Sequence, residues 1–273
     1  MSASRHMELF NDHFQNFKRH NIPKADLIIA DIPYNTGSNA YGSNPQWYVE
    51  GQIANGQSDL AGKQFFDTDK DFRIPEFMHF ASRMLKKEPK ETGQAGCMIV
   101  FCAFDQQMEL IAEGKKHGFA RYINLVFRKN FSPQVLKANM RIVGNAEYGV
   151  LLYREKLPKF NNNGQMVMNV MDWVRDNSTP KVHPTQKPVQ LIERLVEIFT
   201  DAGDVVIDPV AGSGVTLLAA ANLDRRAYGF EIKKEFCRAF EEKIAPSVRS
   251  QLSLWQDRPV RLKAQELDLG GVS

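Results

Sequence analysis

Short apolar runs alternate with amphipathic stretches along most of this chain, and that alternation restricts what it can fold into. Short apolar runs between turn signals read as buried strands. Apolar positions recurring every three or four residues read as helices packed on them. Strands are expected over 25–30, 97–102, 121–129, 147–154, 205–207 and 227–232. Helices are expected over 76–87, 106–117, 189–199, 214–223 and 234–244. Pro75 opens the first helix, Asp105 can cap the second, Gly118 ends it, and Pro188 precedes the third. The pattern predicts an α/β fold: a doubly wound, mostly parallel sheet with helices on both faces. After Pro246 it fades, and 246–273 reads as a C-terminal tail.

Composition narrows the class. With 273 residues, 43% hydrophobic and 25% charged, the chain is an ordinary globular one, which excludes collagen, coiled coil and disorder. It is read as a single domain over 1–273. Cys97, Cys102 and Cys237 form no CxxC pair and cannot build a disulfide framework, which suits a reducing compartment. Met1–His20 is polar, so no leader peptide is expected. No apolar run approaches the ~20 residues of a membrane span. A cytoplasmic, nucleoid-associated location is the expectation. No histidine falls at metal-ligand spacing, so no metal is expected. Charge is uneven: between Lys115 and Lys187 there are 13 Lys and Arg against 4 Asp and Glu, within a chain whose net charge is +3. A basic middle in an otherwise acidic protein points to a polyanionic partner.

Two corners carry candidate chemistry. Val205-Val206-Ile207-Asp208-Pro209-Val210-Ala211-Gly212-Ser213-Gly214-Val215-Thr216 reads as strand, tight glycine turn and helix. Glycines let a ligand approach the backbone, and the helix start offers unpaired N–H groups. Glu231 ends the next strand, 19 residues after Gly212, a spacing that suits an acid accepting bonds from a ribose diol. A dinucleotide fingerprint is a poor match because Leu217 occupies its third small position. Asp208 would repel a pyrophosphate but suits a cationic ligand such as S-adenosylmethionine (SAM). The second corner is Asp31-Ile32-Pro33-Tyr34, following a buried strand. Pro33 stiffens it and keeps Ile32 extended. The Asp31 carboxylate and the Ile32 carbonyl could then hold both hydrogens of an exocyclic NH2, with Tyr34 stacking on a planar base.

Asp31-Ile32-Pro33-Tyr34 resembles the D-P-P-Y motif of amino-group DNA methyltransferases. Asp208-Pro209-Val210-Ala211-Gly212-Ser213-Gly214 resembles their SAM motif, D-P-F-x-G-S-G. His183-Pro184-Thr185-Gln186-Lys187-Pro188 is similar to the H-P-T-Q-K-P element before it. The catalytic motif comes first and the SAM motif late, as in the circularly permuted β class. The likeness covers roughly 26–245, with Ile32 in place of a Pro and Val210 in place of a Phe.

The resemblance implies a SAM-dependent methyltransferase fold and N6-adenine methylation of DNA, since Asp at the first motif position goes with adenine and Ser with cytosine. Asp31, Ile32, Pro33 and Tyr34 would be catalytic. The cofactor would meet Asp208, Pro209, Val210, Ala211, Gly212, Ser213, Gly214, Thr216, Glu231 and Ile232, together with His183, Thr185, Gln186 and Lys187. The target base must leave the duplex stack. A Gly-rich loop over 35–64 would be mobile and close over DNA, using Trp47 or Tyr48. A short target-recognition region over 129–182 would offer Lys129, Lys137, Arg141, Arg154, Lys156 and Lys159 to phosphates. Small members of this class often form homodimers. The alternatives are N4-cytosine methylation, methylation of RNA or a protein glutamine, an NAD-dependent oxidoreductase, and a non-enzymatic nucleic-acid-binding module.

Overall fold

Eight strands make one sheet in the computed structural model, which describes residues 7–35, 71–130, 134–137, 142–183 and 185–248. In chain order the elements are β1 Met7–Phe10, β2 Leu27–Asp31, α1 Ile74–Met84, β3 Cys97–Cys102, α2 Gln106–Lys116, β4 Arg121–Lys129, β5 Gln134–Lys137, β6 Ile142–Gly144, β7 Ala146–Tyr153, β8 Val170–Trp173, α3 Val189–Phe199, β9 Val205–Asp208, α4 Val215–Asn222, β10 Arg226–Phe230 and α5 Lys234–Ala239. The sheet order is β1-β10-β9-β2-β3-β7-β4-β8. Strands β1, β10, β9, β2 and β3 run parallel, β7 is antiparallel to both β3 and β4, and β8 is parallel to β4. The fold is the expected α/β sheet with helices on both faces, closed on one side by an antiparallel pair.

Side-chain alternation along the strands sorts the core into two layers. Leu27, Ile29, Ile99, Phe101 and Val206 pack with α3 and α4 on one face. Ile28, Ala30, Met98, Val100 and Ile207 pack with α1 and α2 on the other. From β9 the chain passes over one face through α4 to β10; from β2 it passes over the opposite face through α1 to β3. The direction of winding therefore reverses between β9 and β2, whose registers pair Leu27 with Val206 and Ile28 with Ile207. A crevice opens at the carboxyl ends of strands at such a reversal.

The structure departs from the sequence expectations in definable places. Strand β1 lies within the polar stretch 1–20; it is four half-buried residues long, too short for alternation to stand out. Helix α1 stops at Met84 rather than 87 because Leu85 turns extended, bridges to Ala25, and Lys86 N–H bonds Ala25 O at 2.9 Å. The last helix narrows to α5 and then widens into a π turn over Phe240–Ile244. Strands β7 and β8, inside the expected recognition region, belong to the main sheet; β5 and β6 alone form a separate two-stranded sheet. The loop expected over 35–64, with Trp47 and Tyr48, lies outside the described residues after Asn35. Asn35 itself pairs twice with the Phe72 backbone, donating from Nδ2 to Phe72 O at 3.0 Å and accepting from Phe72 N at 3.2 Å. Arg141 and the tail from 249 also lie outside the described residues, as does the side chain of Lys137.

Candidate active site

Strand parity puts three acids on one face of the crevice. Asp31 shares parity with Ile29, Asp208 with Val206, and Glu231 with the Gly229 that pairs with Asp208, which places all three toward α3 and α4. Asp31 lies two residues beyond the position opposite Asp208 on the neighbouring strand, so their Cα atoms are about 8 Å apart by strand geometry. Burial pushes the Asp208 carboxyl up to about 7; the Thr216 hydroxyl and Val210 N–H pull it down, while Asp31 and Glu231 add to the rise. Burial likewise holds Glu231 above the ordinary carboxylate range. Like charges converging on one cleft make it a site for a cationic ligand.

The glycine turn completes that side. Gly212 has φ +52° and Gly214 φ +76°, left-handed conformations that favour glycine. A Cβ on Gly214 would collide with the Phe240 ring. Glu231 accepts Gly212 N–H on Oε2 at 2.9 Å and Lys233 N–H on Oε1 at 2.7 Å, which fixes its carboxylate and leaves each oxygen a second lone pair for a diol. Ala211, Ser213 and Thr216 are buried in the turn, Val210 packs against the α1 face, and Ile232 is exposed at the rim.

At the other corner, Ile32 donates its N–H to Phe101 O at 3.2 Å, and Pro33 O accepts from Gln106 Nε2 at 2.9 Å. These bonds fix the backbone on both sides of the Ile32 carbonyl. Tyr34 donates its hydroxyl to Asp31 Oδ1 at 3.3 Å. Asp31 Oδ2 accepts from Lys187 Nζ at 2.6 Å. Lys187 also lies 3.0 Å from Glu147 Oε2, and Lys129 holds Glu147 Oε1. Register explains the cluster. Asp31 pairs with Phe101, Phe101 with Gly149, Phe127 with Glu147, and Lys129 with Trp173, so Asp31, Glu147, Lys129 and Trp173 share one face across neighbouring strands. Burial raises the Asp31 carboxyl above its usual range; Lys187 opposes this and Glu147 reinforces it.

The segment expected to meet the cofactor divides in two. His183 lies against Gly212, where a Cβ would come 3.5 Å from its ring, and stacks on Phe236 at 4.6 Å between centroids. Burial, then Lys187 and Lys233, lower its pKa to about 4, so the imidazole is neutral at pH 7. Thr185 Oγ1 bonds His183 Nδ1 at 3.1 Å and orients that ring. Gln186 instead brackets its own loop, accepting from Val182 N at 3.0 Å and donating to Pro180 O at 2.9 Å. Lys187 belongs to the Asp31 corner rather than the glycine turn.

Four of the basic residues expected to face phosphates are committed elsewhere. Lys129 is enclosed with Glu147 and stands 4.8 Å from the Trp173 ring centroid. Arg154 donates to Lys86 O at 3.0 Å and Ser82 O at 3.2 Å. Lys156 donates to Pro89 O at 2.8 Å. Lys159 pairs with Asp201 at 2.8 Å and Asp204 at 2.6 Å. A formal charge count overlooks such contacts within the fold. Glu147, Gln106 and Trp173 were not singled out from sequence; they read there as ordinary strand and helix residues. Cross-strand register brings Glu147 and Trp173 onto the face of Asp31, and the start of α2 brings Gln106 to the Pro33 carbonyl. Asn11 was also missed: its Nδ2 donates to Glu231 O at 2.9 Å and Ile232 O at 3.1 Å, locking the ends of β1 and β10 together.

Comparison with known proteins identifies the family and the fold. The DNA methylase family model N6_N4_Mtase matches residues 25–242. The type II methyltransferase M.HpaI of Haemophilus parainfluenzae is 38% identical over 238 residues, covering 80% of this chain and 68% of that protein. The DNA adenine methyltransferase YhdJ of Escherichia coli K12 is 25% identical over 251 residues, covering 84% and 79%. Among solved structures, the M1.HpyAVI–SAM complex matches with a TM-score of 0.59 at 21% identity, covering 87% of this chain and 98% of that one. The cytosine-N4-specific PvuII DNA methyltransferase matches with a TM-score of 0.63 at 15% identity, covering 92% and 90%. Among the described residues no helix is long and apolar enough to cross a membrane. With the model spanning both the Asp31 corner and the glycine turn, this chain belongs to the DNA methylase family whose members methylate the N6 or N4 amino groups of bases.

Proposed function

We propose that this protein transfers the methyl group of SAM to the exocyclic N6 amino group of an adenine flipped out of DNA. The observation that carries the reading is the placement of the Asp31 corner beside the Asp208–Gly212–Glu231 cleft at the reversal between β2 and β9. Asp31 and the likeness to the DNA adenine methyltransferase YhdJ favour adenine over cytosine. The late position of the glycine turn relative to Asp31 is that of the circularly permuted β class.

The residues fit the cofactor. Asp208 and Asp31 supply negative charge for a cation, Glu231 keeps lone pairs for a ribose diol, and the neutral His183 closes over Gly212 without adding repulsion. Bound SAM supplies a methyl group already activated on a sulfonium. The protein's task is to orient the amino group. An exocyclic amine is delocalised into its ring and is a poor nucleophile. Accepting its two hydrogens at the Asp31 carboxylate and the Ile32 carbonyl draws the nitrogen toward tetrahedral geometry and aims its lone pair. Asp31 is then the nearest base for the released proton. Tyr34 bonds Asp31 through its hydroxyl, leaving its ring to face the base.

The test is incubation with methyl-labelled SAM and unmethylated DNA, followed by nucleoside analysis. N6-methyladenine is expected. N4-methylcytosine would overturn the choice of base, and no labelled nucleoside would overturn the reading. Asp31→Ala should reduce turnover by roughly 10²–10⁴-fold while SAM affinity, measured by calorimetry, stays within a few-fold.

A further inference from the structure

Lys187 is the one lysine or arginine buried among the described residues, at 6% exposure. Its ammonium has two anionic neighbours and an aromatic surround. Nζ lies 2.6 Å from Asp31 Oδ2 and 3.0 Å from Glu147 Oε2, and 5.0 Å and 5.2 Å from the ring centroids of Phe101 and Trp173. The two carboxylates are not held alike. Asp31 takes a full hydrogen bond from Lys187. Glu147 Oε2 stands farther from Nζ than Asp31 Oδ2 does, and among the described residues it has no partner besides this ion pair. Its other oxygen is occupied by Lys129, which ends the β4 strand.

We propose that Lys187 is a positioning residue that keeps the Asp31 carboxylate ionised and fixed for the target amino group, and that Glu147, by competing for Lys187, sets how firmly it does so. The proposal rests on the methyl-transfer reading above. Any ion pair to Asp31 that stabilises the fold shifts its titration when removed; one serving only to pin the loop before α3 would leave the acid limb of turnover unmoved by that shift. The groups facing Asp31 are Lys187, Tyr34, Cys102 on β3, Asp208 on β9 and, across Lys187, Glu147. Burial keeps the Tyr34 hydroxyl and the Cys102 thiol protonated, so Lys187 is the cation in contact with the carboxylate and Asp208 and Glu147 are the anions opposing it.

The experiment is the pH dependence of turnover at saturating SAM and DNA, paired with a 13C NMR titration of the Asp31 carboxyl, assigned by comparison with Asp31→Asn. Lys187→Met should move the acid limb and the titration upward by about one pH unit or more, a loss of roughly tenfold at pH values below the shifted limb. That loss should recover on raising the pH. Lys187→Arg should restore the limb, and Glu147→Gln should move it downward. An unchanged Asp31 titration in Lys187→Met overturns the proposal, as does an acid limb of turnover that fails to follow the titration, or a shift in the same direction for Lys187→Met and Glu147→Gln. Should Lys187→Met fail to fold, Glu147→Gln decides: a downward shift supports the proposal and no shift overturns it. Should the wild-type protein transfer no methyl group, the methyl-transfer reading fails, and the NMR titrations still judge Lys187.

Discussion

Gly214 shows how much a single backbone position carries. Its φ of +76° starts α4, and its missing side chain leaves room for Phe240 from the π turn. Gly214→Ala adds a left-handed penalty of about 1–2 kcal/mol for an L side chain to an overpacking cost of about 1–3 kcal/mol. Urea unfolding should therefore show a loss of roughly 2–5 kcal/mol, the larger values arising if Phe240 cannot shift. Gly229 faces similar crowding, with a Cβ placed 2.9 Å from Leu217 and 3.0 Å from Leu9. Both glycines bring β10, α4 and the turn together at the cleft, so the site depends on small residues as much as on acids.

At the scale of elements, Arg154 shows why a basic residue need not face DNA. It leaves the end of β7, stacks 5.0 Å from the Phe119 ring centroid and bonds carbonyls at the end of α1. Cations suit that position, because the last carbonyls of a helix lack backbone partners. Arg154→Ala should lower stability by about 1–3 kcal/mol, as expected for hydrogen bonds from a charged group. Affinity for DNA, measured by fluorescence anisotropy, should stay within about twofold, whereas loss of a phosphate contact would weaken it and flatten its salt dependence. The same distinction explains which elements were legible in the sequence. The apolar run of β3 and the periodic face of α3 announce themselves because each buries most of its own residues. The turn after β9 is legible because Gly212 and Gly214 are demanded by local backbone geometry. Strands β1 and β8 are four residues each and half-exposed, so no local pattern marks them. Glu147 and Trp173 acquire their meaning from register across four strands, which no window along the chain contains.

For the whole molecule, the convergence of Asp31, Asp208 and Glu231 ties cofactor affinity to pH. Asp208 takes up a proton as pH falls through about 7 when no cation is near. A cationic ligand favours the ionised form, so binding releases a proton, and the affinity for SAM should fall by up to about tenfold per pH unit below that value. Calorimetry from about pH 5.5 to about pH 8 in buffers of different ionisation enthalpy measures both the slope and the released proton. Asp208→Asn should flatten the slope and weaken binding at every pH. A slope of zero in the wild-type protein would mean that Asp208 does not sense the cofactor.

The placement of β9 between β2 and β10 has a consequence for synthesis. Until the ribosome has passed residue 208, the strand carrying Asp31 has one bare flank, lined by Leu27 to Ala30, and the acids of the cleft have not met. A chain that stops before β9 therefore lacks the glycine turn, and its β2 presents an unpaired edge of the kind that favours aggregation. Pairing an early strand with a late one makes assembly of the cleft one of the last events in folding the described residues.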